Sequence, residues 1–505
     1  MKTRDWGILL ITLLGFALRT SFLGRQSLWY DEAFSLAVAR AEWPTFWAAL
    51  LSDGVHPPGY YLLLRVGLEL FGHTEFALRF LSVLTGTLAV PLIFQLGRVL
   101  GDGRWGLVAA LLLALNPFAL WYAQEARMYS LLLCLSIAAG YAFWKLVTWP
   151  DPRHWLWLTL ISALSFVVHY FAFLFSLVQF VYLVVTLRRT HRVLRWWVAA
   201  QGFAFLLFLP WALVIATREG RNFGIGWIHP PALLDLPLTL SNLALALSEP
   251  ARLWTWAGLA LMLAAVGFGI LATQKTGVRS TAAPYVPTRQ GAVSLLPAPY
   301  TLLLIWLLVP IAFTWLISLR LPLYVDRFLI ICLPALLLLC STLSLSSSRL
   351  ARGTMIILIM VSAIASYRLW ADPRLTKEDW RAAAAYVWST EEMGDTLVMR
   401  DLQTGIPFGY YYQGALELQT ASVNQQITPL SDLGAGYERL WLVYRRPFEA
   451  THALAGSEPF TWRDDQDLMV RDWLVVNEPA LVGERTLPGV YVVLYQLSPE
   501  ISRDE

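Results

Sequence analysis

Charge is scarce in this chain: Asp, Glu, Lys and Arg make up 14% of 505 residues, against 57% hydrophobic residues. Soluble domains carry roughly a quarter charged residues, so a soluble fold is excluded and a polytopic membrane protein is indicated. The net charge is only +3, and the basic residues sit in small clusters between apolar runs rather than on one stripe. That distribution argues against a nucleic-acid partner. Cysteine is equally sparse. Cys134, Cys332 and Cys340 all lie inside apolar runs, where they behave as small hydrophobes, so neither a disulfide nor a CxxC metal site is available in the polar parts. The N-terminal apolar run to Leu18 lacks a small-residue cleavage site. It reads as a retained first helix.

What is present is a series of long apolar runs. A spanning helix needs roughly 20 mostly apolar residues, and about eleven stretches meet or approach that measure: 6–23, 78–98, 105–122, 130–147, 155–169, 170–187, 196–216, 253–272, 299–319, 327–346 and 353–370. One set of connections carries Lys2 and Arg4; Arg98 and Arg104; Lys145 and Arg153; Arg188, Arg189, Arg192 and Arg195; Lys275, Arg279 and Arg289; and Arg349 and Arg352. The other set mixes charge signs. The positive-inside rule places the first set in the cytoplasm, with the N-terminus inside and Asp31, His56, Glu125, His169 and Arg327 on the outer side. Segment 58–71 is short and holds Arg65 and Glu69, so it is expected to lie at the interface, as is 33–50. The loop 217–252 is expected to cover a site and 273–298 to be a connector. After Trp370 the composition becomes that of a soluble α/β domain, with a helix over 378–389 and strands at 396–399, 440–444 and 490–495. The expected fold class is therefore a mostly α-helical membrane protein of about eleven spans, with a small outer α/β C-terminal domain. Its domains are 1–370, carrying an outer loop 24–77, and 371–505.

Polar residues between such runs need a reason. Asp31 and Glu32 follow Ser27-Leu28-Trp29-Tyr30; a carboxylate just outside lipid can serve as a base, and Asp31 could equally cap a helix starting at Glu32. Val55-His56-Pro57-Pro58-Gly59 is either a plain turn or a device aiming His56 back at the first-loop carboxylates. Glu125, Arg127 and Tyr129 stand at a helix end between apolar spans, where ionisable groups face a cavity or one another. A buried structural pair and a phosphate-binding Arg both fit. His169 and Arg327 are similar outer-edge groups, with snorkelling the alternative for Arg327.

In order and spacing, LWYDEAFS (28–35), HPPGYYLLL (56–64), FALRFLSVLTGTLAVPLIF (76–94) and NPFALWYAQEARMYSLLL (116–133) resemble the N-terminal core of bacterial GT-C glycosyltransferases. These are the family 39-like enzymes related to protein O-mannosyltransferases and the lipid A aminoarabinose transferase. The resemblance covers roughly residues 5–190 and continues more loosely through LYVDRFLIICLPALLLL (323–339) and DWRAAAAYV (379–387). It implies a polyprenyl-phosphate-linked sugar as donor and transfer with inversion at the outer face of the plasma (inner) membrane. Asp31 then corresponds to the catalytic base with Glu32 as its partner, and His56, Glu125, Arg127, Tyr129, His169 and Arg327 bind substrate. Use of a divalent cation differs among the branches and stays open. Where the aminoarabinose transferases have Glu-Lys before Pro-Pro, this chain has Val55-His56, a departure from the branch whose acceptor is lipid A. Glycan, lipid and protein acceptors all fit.

A transporter or flippase of a lipid-linked glycan would also have many spans. Such proteins place ionisable groups near the bilayer midplane and show internal repeats, whereas here the charges gather at span ends and no repeat is evident. A non-catalytic relic acting in assembly is the third reading.

Overall fold

The computed structural model describes residues 3–186, 191–217, 228–246, 249–276, 298–423, 426–427, 430–434, 436–445, 473 and 479–497. The described chain forms two compact units. The first comprises the described residues of 3–23 and 41–371; the second joins Gly24–Arg40 to the described residues from Asp372 onward.

The helices, in chain order, are α1 (Thr3–Thr20), α2 (Tyr30–Arg40), α3 (Trp43–Asp53), α4 (Gly59–Phe71), α5 (Glu75–Leu100), α6 (Gly103–Leu115), α7 (Pro117–Ala123) and α8 (Tyr129–Thr148). They continue with α9 (Pro152–Val168), α10 (Ala172–Thr186), α11 (His191–Thr217), α12 (Asp235–Leu245), α13 (Leu253–Thr276), α14 (Ala298–Ser318), α15 (Leu333–Ser341) and α16 (Arg349–Ala371). Tight 3-10 turns at Asp326–Cys332 and Thr342–Leu345 flank α15. All of these except α2 belong to the first unit. Among the described residues, seven segments are long and apolar enough to cross a membrane: α5, α8, Val193–Thr217, Leu253–Leu271, Pro299–Ser318, Asp326–Leu345 and α16. The bent pair α6 and α7 makes an eighth if counted as one span. The remaining expected stretches are occupied by α1, which contains Arg4, Asp5 and Arg19, and by the shorter α9 and α10, of 17 and 15 residues. The protein is a multi-pass membrane protein.

One expected span is not straight. The stretch 105–122 breaks at Asn116-Pro117, and α6 and α7 meet at 58°. Pro117 lacks the amide needed to continue α6, while the Asn116 side chain accepts from Ala119 N at 2.8 Å and donates to the carbonyls of Leu243 and Ala244 at 3.0 and 2.9 Å. Nearby, the buried Arg19 guanidinium donates to the carbonyls of Gly15, Leu113 and Ala114 at 3.0, 3.2 and 3.4 Å. Those contacts satisfy backbone groups left open where α6 ends. Gln124 closes the end of α1 by donating to Ser21 O at 2.7 Å. The segment after α7 is thereby fixed in place.

Segment 58–71 forms the 13-residue α4, and 43–53 forms α3, whose Phe46 and Leu50 are fully buried while Trp43 and Trp47 are exposed. Within the expected covering loop 217–252, residues 218–227 lie outside the described residues, and 235–245 forms the largely buried α12. Most of the expected connector 273–298 also lies outside the described residues.

The second unit is α/β. Its strands are β1 (Asp395–Met399), β2 (Leu418–Thr420), β3 (Ser422–Val423), β4 (Gln426–Ile427), β5 (Arg439–Arg445), β6 (Ala480–Leu487) and β7 (Val490–Gln496). The main sheet has the order β2-β1-β5-β7-β6, with β1 parallel to β2 and β5 and the two pairings of β7 antiparallel. α17 (Trp380–Thr390) and α18 (Leu402–Tyr411) cover one face, closing a core of Trp380, Val387, Leu397, Phe408, Trp441 and Val492. Asp379 starts α17 by accepting from Ala382 N at 3.1 Å. A short α19 (Leu430–Gly434) completes the unit.

Candidate active site

In the first unit the His-Pro-Pro segment starts where α3 stops. Gly54 has φ +59° and its N–H bonds Leu50 O at 2.9 Å, a left-handed helix end that glycine reaches without strain. This turn brings Asp53 and His56 together, with Asp53 Oδ2 3.5 Å from His56 Nδ1. The other ring nitrogen, Nε2, lies 3.3 Å from Arg127 Nη2. A ring carrying its proton on Nδ1 suits both neighbours, since it faces the carboxylate with a donor and the guanidinium with a lone pair. Burial alone would raise the Asp53 pKa, but its contact with His56 and the nearby Arg127 charge outweigh burial and hold it below the ordinary carboxylate value.

Downstream of the prolines, Gly59 packs against the last turn of α9. A Cβ there would lie 2.5 Å from Val167 O. This close approach sets the His56 ring edge-on to His169, at 5.7 Å between centroids. His169 Nδ1 accepts from Phe171 N at 3.1 Å, so a neutral ring carries its proton on Nε2; that atom is buried and makes no hydrogen bond.

The junction between α7 and α8 supplies Glu125, Arg127 and Tyr129, all buried. Ser82 Oγ fixes it by donating to Arg127 O at 3.1 Å. Tyr129 packs on Tyr122 at 5.0 Å, on His169 at 6.1 Å and on Phe328 at 6.3 Å. Arg327 stands 5.7 Å from the Phe328 ring centroid, and its charge reaches both His169 and Tyr122, as that of Glu125 reaches Tyr122. The structure thus gathers His56, Glu125, Arg127, Tyr129, His169 and Arg327 in one place. Two guanidiniums and two imidazoles against an aromatic wall, interleaved with carboxylates, give a buried polar cluster whose N–H donors suit an oxyanion.

Two carboxylates here are not among the residues that the sequence marks out. Asp53 is one; its signal was its spacing of three from His56 across a glycine turn. Asp326 is the other, accepting from Thr239 Oγ1 at 2.5 Å and Asn242 Nδ2 at 2.8 Å. Thr239 and Asn242 are one helical turn apart on α12, and nothing in their sequence marks them as partners of a residue more than 80 positions away.

Asp31 and Glu32 belong to the second unit. The helix begins at Tyr30, with Glu32 N and Ala33 N both bonding Trp29 O at 3.0 Å. Asp31 therefore lies inside the first turn rather than at the cap, where the helix dipole favours a negative charge. Asp31 is half-buried, whereas Glu32 is fully buried with Oε2 3.2 Å from Lys377 Nζ.

Residues 55–213 match the model of the dolichyl-phosphate-mannose-protein mannosyltransferase family. The undecaprenyl phosphate-α-4-amino-4-deoxy-L-arabinose arabinosyl transferase 2 of Proteus mirabilis is 30% identical over 169 residues, covering 32% of this chain and 31% of that protein. The corresponding transferase of Pseudomonas aeruginosa is 26% identical over 341 residues, covering 64% and 57%. The crystal structure of apo ArnT from Cupriavidus metallidurans aligns over 100% of both chains with a TM-score of 0.51 at 13% identity. This chain has the GT-C glycosyltransferase fold. It is related to the protein O-mannosyltransferases and to ArnT.

The matches span about a third and just over half of the lengths of those two curated relatives. Within the GT-C fold, the family match at 55–213 takes in His56, Glu125, Arg127, Tyr129 and His169 and leaves out Asp31, Glu32 and Arg327. Among the described residues no three His, Cys, Asp or Glu side chains are grouped so as to hold a metal ion.

Proposed function

We propose that this protein is a glycosyltransferase that moves a hexose or pentose from a polyprenyl-phosphate carrier to an acceptor at the outer face of the plasma membrane. The observation that carries the proposal is the chain from the half-buried Asp53 through the buried His56 to the buried Arg127, with His169 edge-on to His56. A guanidinium and an imidazole side by side at the ends of apolar spans offer charge-assisted and directional donors that suit a lipid-linked phosphate. The names of the two curated relatives, which include undecaprenyl phosphate and a sugar, support the same donor class.

In the reaction we infer, an acceptor hydroxyl attacks the anomeric carbon in line with the bond to phosphate, inverting its configuration. The carbon–oxygen bond to phosphate breaks and the electron pair leaves on polyprenyl phosphate. The hydroxyl proton passes to Asp31, the role implied by the sequence resemblance. Arg127 and His56, with Arg327, hold the leaving phosphate, and their charge is worth more in a dry site than in water. The aromatic wall of Tyr122, Tyr129 and Phe328 shields the phosphate from water.

Purified protein in liposomes, offered a panel of radiolabelled undecaprenyl-phosphate hexoses and pentoses, tests this reading. Release of one sugar, by transfer to added membrane extract or by slow hydrolysis, is expected to be lost in Asp31→Asn and Arg127→Ala. Folded wild-type protein inert toward every donor would refute the transferase reading. Turnover surviving Asp31→Asn would remove Asp31 from its role as base.

A further inference from the structure

Two neighbouring carboxylates in the first turn of α2 have different surroundings. Glu32 is 0% exposed and its Oε2 meets Lys377 Nζ at 3.2 Å, with that lysine itself 7% exposed. Lys377 Nζ also stands 5.9 Å from the Trp29 ring centroid. The same short segment is tied at further points: Leu28 N donates to Tyr411 Oη at 2.8 Å, Ser27 Oγ to Asp379 Oδ1 at 3.3 Å, Lys377 N to Gln26 Oε1 at 3.3 Å, Arg381 N to Ser27 Oγ at 3.3 Å, and Arg381 Nη2 to Gly24 O at 3.3 Å. These anchors come from residues 377–381, at the start of α17, and from Tyr411 at the end of α18.

A buried carboxylate keeps its charge only while the facing ammonium stays in place, and removing either member leaves the other stranded in a low dielectric. Glu32 is therefore committed to Lys377. A carboxylate so engaged is poorly placed to take a proton from an incoming hydroxyl, whereas Asp31, one residue earlier, turns about 100° away on the same helix.

Building on the reading of Asp31 as base, we propose that Glu32 and Lys377 are positioning residues. The Glu32–Lys377 pair fixes the first turn of α2, so the C-terminal unit sets the aim of Asp31. Glu32 takes no proton in the reaction. Its contribution is made through the orientation of its neighbour.

The test compares full-length wild type, Glu32→Gln, Lys377→Met and the reversal Glu32→Lys with Lys377→Glu, all in liposomes. Amide hydrogen exchange is followed over residues 24–40, with β1, β5 and β7 as the control for folding. Turnover is followed with whichever undecaprenyl-phosphate sugar of the panel is active. Each single variant is expected to exchange about tenfold faster over 24–40 and to lose about tenfold or more in kcat with little change in donor KM. The reversal is expected to recover part of both losses. Unchanged exchange and kcat in Lys377→Met would overturn the proposal. Glu32→Gln that is inactive while its exchange stays normal would overturn it too, by showing that Glu32 acts in the chemistry itself. Wild type inert toward every donor, with exchange responding as expected, would overturn the transferase reading while upholding the fastening of α2.

Discussion

Replacing Gly59 by alanine would set a methyl carbon 2.5 Å from Val167 O, 2.9 Å from Val167 C and 3.0 Å from Val167 Cγ2. Ordinary contact begins near 3.4 Å, so α4 and the end of α9 must part by about 0.9 Å, the difference between 3.4 and 2.5. Two of the three obstructing atoms are backbone, which cannot rotate away. Overpacking of this kind costs about 1–3 kcal/mol. The displacement falls on the site, because His56 is three residues before Gly59 and His169 two residues after Val167. A shift near 1 Å in a positioning group lowers turnover on the order of 100-fold. Thermal unfolding of the purified protein and sugar release from the active donor would measure the two effects. Gly67→Ala is the control, since nothing lies within 4 Å of a Cβ at that position on the same helix. It should gain about 0.5–1 kcal/mol from helix propensity and keep its turnover. Gly59→Ala with wild-type stability and kcat would refute this account of how the two histidines are set.

Three further outcomes follow from the same geometry. Because the folded pKa of Asp53 is depressed, its contribution to stability is fully present above the unfolded carboxylate value of about 3.9 and is lost as pH falls through the lower folded value; melting curves across acid pH should show this dependence in wild type and its reduction in Asp53→Asn. Asn116→Ala removes the cap of α7 and both donors to Leu243 and Ala244, a loss of about 2–4 kcal/mol measurable by thermal unfolding. In the second unit, Asp395 accepts from Arg439 Nε and Nη2 at 2.7 Å each and from Trp441 Nε1 at 2.9 Å. Asp395→Ala should cost roughly 2–3 kcal/mol, between exposed and fully buried pairs, and lower the melting transition of the C-terminal unit.

Hydropathy made the helices legible because spans depend on local composition alone. All eleven apolar stretches carry helix, and the break at Asn116-Pro117 was written in a cap residue followed by a proline. The three strands expected at 396–399, 440–444 and 490–495 became β1, β5 and β7, the centre of the sheet, where burial on both faces enforces apolar residues. β6 escaped notice because Ala480–Leu487 is mostly exposed and carries no alternating pattern; β2 is only three residues long. In the site, His56, Arg127 and His169 were conspicuous as ionisable residues at span ends. Asp326 was passed over because its partners sit on α12, far away in the chain. The burial of Glu32 against Lys377 was not legible in the sequence, since the two residues are 345 positions apart.

That last contact also imposes a timetable on biosynthesis. Lys377 follows Glu32 by 345 residues, so at 5–20 residues per second the acidic turn emerges about 17–70 s before its ammonium partner exists. Throughout that interval the turn lacks the anchors that fix it, and the nascent protein passes its membrane segments without a finished second unit. Ribosome-bound chains arrested before residue 377 should show unprotected amides over 24–40, and chains arrested after the whole C-terminal unit has emerged should show them closed. Protection in the shorter chains would mean that the acidic turn folds without its distant lysine.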